Sequence, residues 1–499
     1  MSWSALLPVA ILLSSLVPGL VIFTLPEERH LLRSVLNLSG ALLKLCLVAI
    51  LFLGVFAGNE FMFSMQLLPG MNLTLHADAL SLLFLVLSAF LWLVTTVYAI
   101  GYLEGSPHRS RFFGFFSLCV SATTGIAMAG DLVSFVIFYE MLTVTTYPLV
   151  VHRGTPEALR AGRIYLTYTL CGGTLLLVTT VWLRALAGPL DFAATGILSE
   201  VDPSLYPTLK IIFVLLIVAL GVKAALVPLH AWLPAAMVAP APVSALLHAV
   251  AVVKAGAFGI MRVVYDVFGI EFAASLDLLE PLAVAAAVTI LYGSLRALVQ
   301  DDLKRRLAFS TVSQVSYIIL GIAVLGPLAT IGGLVHLVHQ GIMKITLFFC
   351  AGNLAETLGI HKISAMAGVG RRMPWTMAAF TVAALGMIGM PPMVGFVSKW
   401  FLALGGLDAH QPWVLLVLVV STLLNAAYFL PIVYSAWFVA PAVAWPQERQ
   451  GSGRRETAWA LLLPPLVTAL LVMLLGLFAS APFSPLQWVK LIAYREYGL

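Results

Sequence analysis

The chain has 499 residues, of which 61% are hydrophobic and 10% charged, with a mean hydropathy of +1.03 and a net charge of +5. A soluble protein carries about 25% charged residues, so this composition excludes a water-soluble α-domain and implies a polytopic membrane protein. The basic residues are scattered over short loops, without the clustering that nucleic-acid binding requires. No Rossmann, Walker or haem-attachment pattern marks a nucleotide or redox cofactor. Cys46, Cys119, Cys171 and Cys350 stand apart in apolar runs without C-x-x-C spacing, so neither a metal nor a cofactor is expected.

About 20 apolar residues cross a bilayer as a helix. By that rule the chain reads as an all-α membrane protein with about fourteen spans. They lie at roughly 4–25, 37–57, 78–100, 112–129, 131–152, 162–187, 208–230, 242–265, 278–299, 307–326, 328–352, 375–404, 413–439 and 457–479. No basic region precedes the first span, so it reads as a helix and not a cleaved signal. Alternate loops carry the basic residues: Arg29 and Arg33; Arg109 and Arg111; Arg153, Arg160 and Arg163; Lys304, Arg305 and Arg306; Lys362, Arg371 and Arg372; Arg449, Arg454 and Arg455. The intervening loops are basic-poor and often acidic, with Asp191, Glu200 and Asp202 in one and Asp266, Glu271, Asp277 and Glu280 in another. This is positive-inside alternation. It predicts an even number of spans, both termini extracytoplasmic, in a bacterial or archaeal cytoplasmic membrane.

Two spans are interrupted. The seventh runs into Pro228-Leu-His230-Ala-Trp-Leu-Pro234, and the twelfth contains Gly389-Met-Pro391-Pro392-Met-Val-Gly395. Proline removes a backbone donor, and freed carbonyls inside a membrane need protein or water as partners. Matched interruptions in two halves point to inverted repeats around a transport path. The reading is three N-terminal helices (1–111), a first five-helix repeat (112–265, helices 4–8), a second repeat (278–439, helices 9–13), and a last helix with a short tail (440–499).

Glu140 is the only carboxylate near the middle of an apolar span, about ten residues beyond Asp131. A charge at the bilayer centre costs about 2.5–3.5 kcal/mol on insertion scales, which packing alone does not require. Lys223, just before the first interruption, is its natural partner, as a switchable pair or as a static one. Lys254 lies mid-span with no acid in its own helix, six residues after His248. His336 and His339 share a helix face at i, i+3, with Lys344 five residues on, and Lys399 follows the second interruption. Such residues suit a proton relay, since histidine titrates near neutrality. Lone membrane histidines also serve as ordinary hydrogen-bonding groups. Lys44 and Lys344 read as near enough to span ends to snorkel. Ser310, Thr311, Ser313, Gln314 and Ser316 could hold waters between the lysines or bond neighbouring helices.

Together these segments resemble the antiporter-like subunits of respiratory complex I, Mrp-type cation/proton antiporters and membrane-bound hydrogenases. The stretches that carry the resemblance are Asp131–Tyr147 around Glu140, Gly221–Pro234 with Lys223, Pro228 and His230, and Ala241–Gly256 with His248 and Lys254. Lys304–Gln314, His336–Lys344 and Pro391–Lys399 continue the order. The resemblance implies fourteen helices, two inverted repeats, and a midplane row in which Glu140 and Lys223 are the coupling pair, Lys254 the central relay and Lys399 the terminal site. It also implies other membrane subunits as partners, with protons and Na+ as candidate cargo. The length is similar to the Mrp D-type protein, while the His248 segment is similar to hydrogenase-associated and Mrp A-type proteins. A proton-pumping subunit of NADH–quinone oxidoreductase and a non-pumping membrane scaffold are the alternatives.

Overall fold

The computed structural model describes residues 3–199, 201–441, 445 and 456–498; Glu200, Arg449, Arg454 and Arg455 lie outside them. Two long apolar helices open the chain, α1 (Trp3–Phe23) and α2 (His30–Phe56), followed by a hairpin of β1 (Phe61–Leu68) and β2 (Met71–Ala77). The strands pair antiparallel, from Phe61 opposite Ala77 to Leu68 opposite Met71. This hairpin departs from the all-α expectation: its strands of 8 and 7 residues are far shorter than a membrane-spanning apolar run, so hydropathy does not mark them.

The chain continues through α3 (Ala79–Tyr102), α4 (Arg109–Ala127), α5 (Leu132–Val150), α6 (Pro156–Ala187), α7 (Tyr206–Ala224) and the single turn α8 (Trp232–Ala235). Next come α9 (Ala241–Ala249), α10 (Val252–Arg262), α11 (Ile270–Ser275), α12 (Leu279–Leu298), α13 (Leu303–Ala323) and α14 (Pro327–Leu358). The last are α15 (Val369–Arg372), α16 (Pro374–Ile388), α17 (Val394–Asp408), α18 (Pro412–Phe438), α19 (Trp459–Leu477) and α20 (Pro485–Glu496). Aspartates start three of the principal helices by capping exposed amides: Asp78 accepts from Ser81 N at 2.6 Å, Asp131 from Ser134 N at 2.7 Å, and Asp302 from Arg305 N at 2.8 Å.

Among the described residues, twelve helical stretches are long and apolar enough to cross a membrane. The fourteen expected from sequence exceed this by α4, which is rich in serine and threonine, and by the α16–α17 pair, which is two short helices. The apolar windows of Ala241–Phe268 and α14 are enclosed on all sides, whereas α1, α2, α6, α18 and α19 turn much of their surface outward. The polar residues singled out above fall mostly on the enclosed helices. One span expected to be continuous is not: α9 ends at Ala249 and α10 begins at Val252, so His248 and Lys254 do not share a helix.

Lys44 also departs from expectation. Because α2 begins at His30, Lys44 lies deep in the bundle, fully buried, and does not snorkel. Its amine donates to Ser15 Oγ at 2.7 Å and Thr124 Oγ1 at 2.6 Å, tying α2 to α1 and α4.

A second polar clamp joins the start of α3 to α10. The buried Arg262 guanidinium forks onto Asp78 at 2.6 and 2.9 Å and reaches Asp266 at 2.8 Å. Arg495 and Glu496 line a small cavity beside Asp78 and Asp266. Burial, reinforced by the Asp266 charge, pushes the Glu496 carboxyl up to about 8, from an unfolded value of about 4.3. Between those two values only the unfolded chain releases its proton, so this group lowers stability as pH rises and the loss is complete above pH 8. Glu496→Gln is therefore expected to raise the thermal midpoint at pH 8–9 and leave it unchanged near pH 4; equal midpoints at both would contradict this assignment. Arg262→Met strands two carboxylates and is expected to cost about 3–5 kcal/mol in unfolding experiments.

Candidate functional site

Both interruptions leave helix-end carbonyls that must be satisfied inside the protein. At the first, α7 ends at Ala224 and Ala225 turns left-handed (φ +59°). Trp232 Nε1 reaches back to Val222 O at 2.7 Å, and Val227 N donates to Thr289 Oγ1 at 3.1 Å. At the second, α16 ends at Ile388 and Gly389 takes φ +93°. A Cβ at Gly389 would press on the Lys399 side chain, 2.8 Å from its Cδ. Lys399 Nζ folds over the break to donate to Ile388 O at 2.8 Å, Met387 O at 3.2 Å and Thr422 Oγ1 at 3.1 Å. Pro228 lies in the first gap, Pro391 and Pro392 in the second.

Glu140 stands on α5 against Gly173 of α6, and its Oε1 is buried without a hydrogen-bond partner. Any side chain at position 173 would collide with that carboxylate. Lys223 forms no ion pair with Glu140. Its buried amine donates instead to the main-chain oxygen of Tyr139 and lies 3.4 Å from the centroid of the Tyr139 ring. Gly256 lets α10 approach the α7 backbone at Lys223–Ala224, which brings the next lysine's helix alongside.

Lys254 Nζ donates to Leu337 O of α14 at 2.8 Å. The adjoining His336 bonds through Nδ1 to Ser398 Oγ at 2.8 Å, and its ring faces Tyr317 at 5.3 Å between centroids. Ser398 precedes Lys399, whose amine lies 5.5 Å from that same Tyr317 ring. Lys344 is fully buried and does not snorkel: its amine bonds Ser310 Oγ at 2.6 Å and Leu307 O at 3.2 Å. From Ser310 the contacts run to Tyr428 OH (2.8 Å), Asn425 Oδ1 (2.5 Å) and, through the Asn425 amide, to Met387 O (3.3 Å), which Lys399 also holds.

The remaining candidates lie beside these contacts. His248 stacks on Phe348 at 4.5 Å with both ring nitrogens unpartnered, and His339 Nδ1, His336 Nε2 and the Gln314 and Gln340 amides are likewise buried without partners. His230 is half-buried, edge-on to Tyr292 at 5.0 Å, and joins none of the hydrogen bonds of the lysine series. Sequence reasoning missed Tyr139, Tyr317, Thr422, Asn425, Tyr428 and Ser398. The Asn425 amide in an otherwise apolar span, with Tyr428 at i+3, was a usable signal. Among the described residues no group of three metal-ligating side chains occurs.

Asn425→Leu removes the donor to Met387 O and the acceptor for Tyr428. It is expected to cost about 1–3 kcal/mol in thermal or denaturant unfolding; Tyr428→Phe is expected to cost less. Equal stability of Asn425→Leu and the parent would refute this accounting.

Residues 129–425 match the family described as NADH:quinone oxidoreductase/Mrp antiporter, transmembrane, and residues 69–113 match the N-terminal region of complex I chain 5. The chain is 37% identical to the N-type subunit of the NADH-quinone oxidoreductase of Desulforudis audaxviator, over 82% of this chain and 83% of that protein. It is 28% identical to the D-type subunit of the Na(+)/H(+) antiporter of Bacillus subtilis, over 81% of this chain and 80% of that one. Its fold superposes on a chain of the Mrp complex from Dietzia sp. DQ12-45-1b with TM-score 0.87 at 24% identity, covering 100% of this chain and 98% of that chain. With more than half of its length matched, this chain belongs to the NADH:quinone oxidoreductase/Mrp antiporter membrane family.

Proposed function

We propose that the chain translocates protons through the row Glu140, Lys223, Lys254, His336 and Lys399, with Lys344 as a branch, as one subunit of a multi-subunit membrane complex. The observation that carries this reading is that Lys223, Lys254, Lys344 and Lys399 are all enclosed and none forms an ion pair among the described residues. Buried cations cost several kcal/mol each without a counter-ion, more than the neutral contacts these four amines make return. The amines suit a path in which each gives up and regains a proton. Hydroxyls, imidazoles and amides lie between them, and the unpartnered His248, Gln314 and Gln340 side chains and the free His339 Nδ1 offer donors and acceptors for intervening water.

In this reading α4 and the α16–α17 pair complete fourteen spans, helices 4–8 and 9–13 are inverted repeats, and both termini are extracytoplasmic. The basic loops then face the cytoplasm. Glu140 and Lys223 form the switch: a proton on Glu140 releases Lys223, and the ionised carboxylate attracts it back. Lys254 carries the proton to the His336–Ser398 contact, and Lys399 delivers it.

The parent complex is an Mrp-type Na+/H+ antiporter or a related hydrogenase-type assembly; the similarity to the Bacillus subtilis antiporter protein supports this. The greater identity to the N-type protein of an NADH-quinone oxidoreductase favours a second reading, a pumping subunit of a redox complex. Flavin or iron–sulfur subunits co-purifying with the chain select the second, and small membrane subunits alone select the first.

Glu140→Gln and Lys223→Ala are each expected to abolish proton-coupled transport in proteoliposomes while leaving assembly intact. Gly173→Ala, which drives a methyl group into the Glu140 carboxylate, is expected to impair it nearly as much. Parental transport by a correctly assembled Glu140→Gln complex would refute the relay, and a scaffold would tolerate all of these changes.

A further inference from the structure

Lys223 is caught off its carboxylate. Its amine has two partners, both supplied by the residue before Glu140: the Tyr139 main-chain oxygen and the face of the Tyr139 ring, 3.4 Å away at the centroid. That ring is fully buried and held by Phe135, whose ring stacks on it at 5.5 Å. Adjacent helical residues leave the axis about 100° apart, so Tyr139 and Glu140 offer two separate landing places on one turn of α5.

The chemistry of the two places differs. Glu140 attracts the ammonium by charge, but while Lys223 rests on it the carboxylate is occupied. The Tyr139 ring and carbonyl attract an ammonium as a quadrupole and a dipole and leave Glu140 open, as its unpartnered Oε1 shows. The Tyr139 hydroxyl is itself buried without a partner. The ring face and the main chain therefore make the contact, not the phenol.

We propose that Tyr139 is the holding site for the Lys223 ammonium when it leaves Glu140, a positioning residue that keeps the amine charged and close while Glu140 accepts its next proton. No proton moves in this step; the amine exchanges a carboxylate for a π face and a carbonyl oxygen. The inference rests on the Glu140–Lys223 switch proposed above.

The test replaces Tyr139 in the assembled complex with Phe, with Leu, and with phenylalanines carrying increasing numbers of ring fluorines. Fluorine drains the ring face of negative potential at nearly constant shape, so a merely packing role would not respond to it. Tyr139→Phe is expected to keep parental proton transport in proteoliposomes. Transport is expected to fall stepwise along the fluorinated series, reaching a loss of roughly tenfold at the most fluorinated ring and in Tyr139→Leu. A flat fluorinated series, or a Tyr139→Phe variant as poor as Tyr139→Leu, overturns the holding site. Glu140→Gln measured in the same preparations separates the two ideas. Lost transport there with a flat series discards Tyr139 alone, whereas retained transport discards the switch. If Tyr139→Leu fails to assemble, the fluorinated series decides by itself.

Discussion

Burying an ammonium without an acceptor is costly, and in this protein the enclosed lysines take main-chain carbonyls as acceptors. Lys223 bonds the oxygen of Tyr139, Lys254 that of Leu337, Lys344 that of Leu307, and Lys399 those of Met387 and Ile388. Each amine thus stitches one helix to the backbone of another while staying free of a carboxylate. A carbonyl holds an ammonium less firmly than an ion pair would, because it brings a dipole and not a charge. The same contacts that join the helices leave each of these lysines without a counter-ion among the described residues.

The two interruptions solve one problem with different residues. At the first, an indole adds a second donor to the Val222 carbonyl beside the Ala225 amide, and Lys223 is left to face α5. At the second, the lysine itself is the cap, aided by Asn425. Aspartates cap α5 and α13, at Asp131 and Asp302, but the lysines at the two interruptions do different jobs. Lys399 is anchored by three acceptors and Lys223 by one carbonyl and a ring. In the proposed relay the looser of the two is the moving part.

Polar residues away from the row follow another logic. Lys44 and Arg262 are also buried cations, but Lys44 is taken up by hydroxyls of two neighbouring helices and Arg262 by two carboxylates. Lys44 binds the N-terminal helices to one another, and Arg262 binds the start of α3 to α10. Burial of a charge in this protein is therefore not by itself a sign of transport; the company the charge keeps makes the difference.

The sequence alone was enough for the membrane class, and it placed both proline-bearing gaps and singled out Glu140 and the lysines of the proposed row. Those signals are local: twenty apolar residues, a proline inside a run, a lysine too costly for packing alone. It did not reveal the hairpin, the split between α9 and α10, or the depth of Lys44 and Lys344, each of which depends on where a helix starts and what covers it. Nor did it reveal Tyr139, Tyr317, Asn425 and Tyr428, which are ordinary residues until their partners arrive from distant helices. Glu140 and Lys223 show the division most clearly. Their chemistry follows from composition and position, whereas the choice of Lys223 to sit on Tyr139 belongs to the tertiary structure. That choice turns on a rotamer and on a few ångströms between α5 and α7, and no spacing along the chain encodes either.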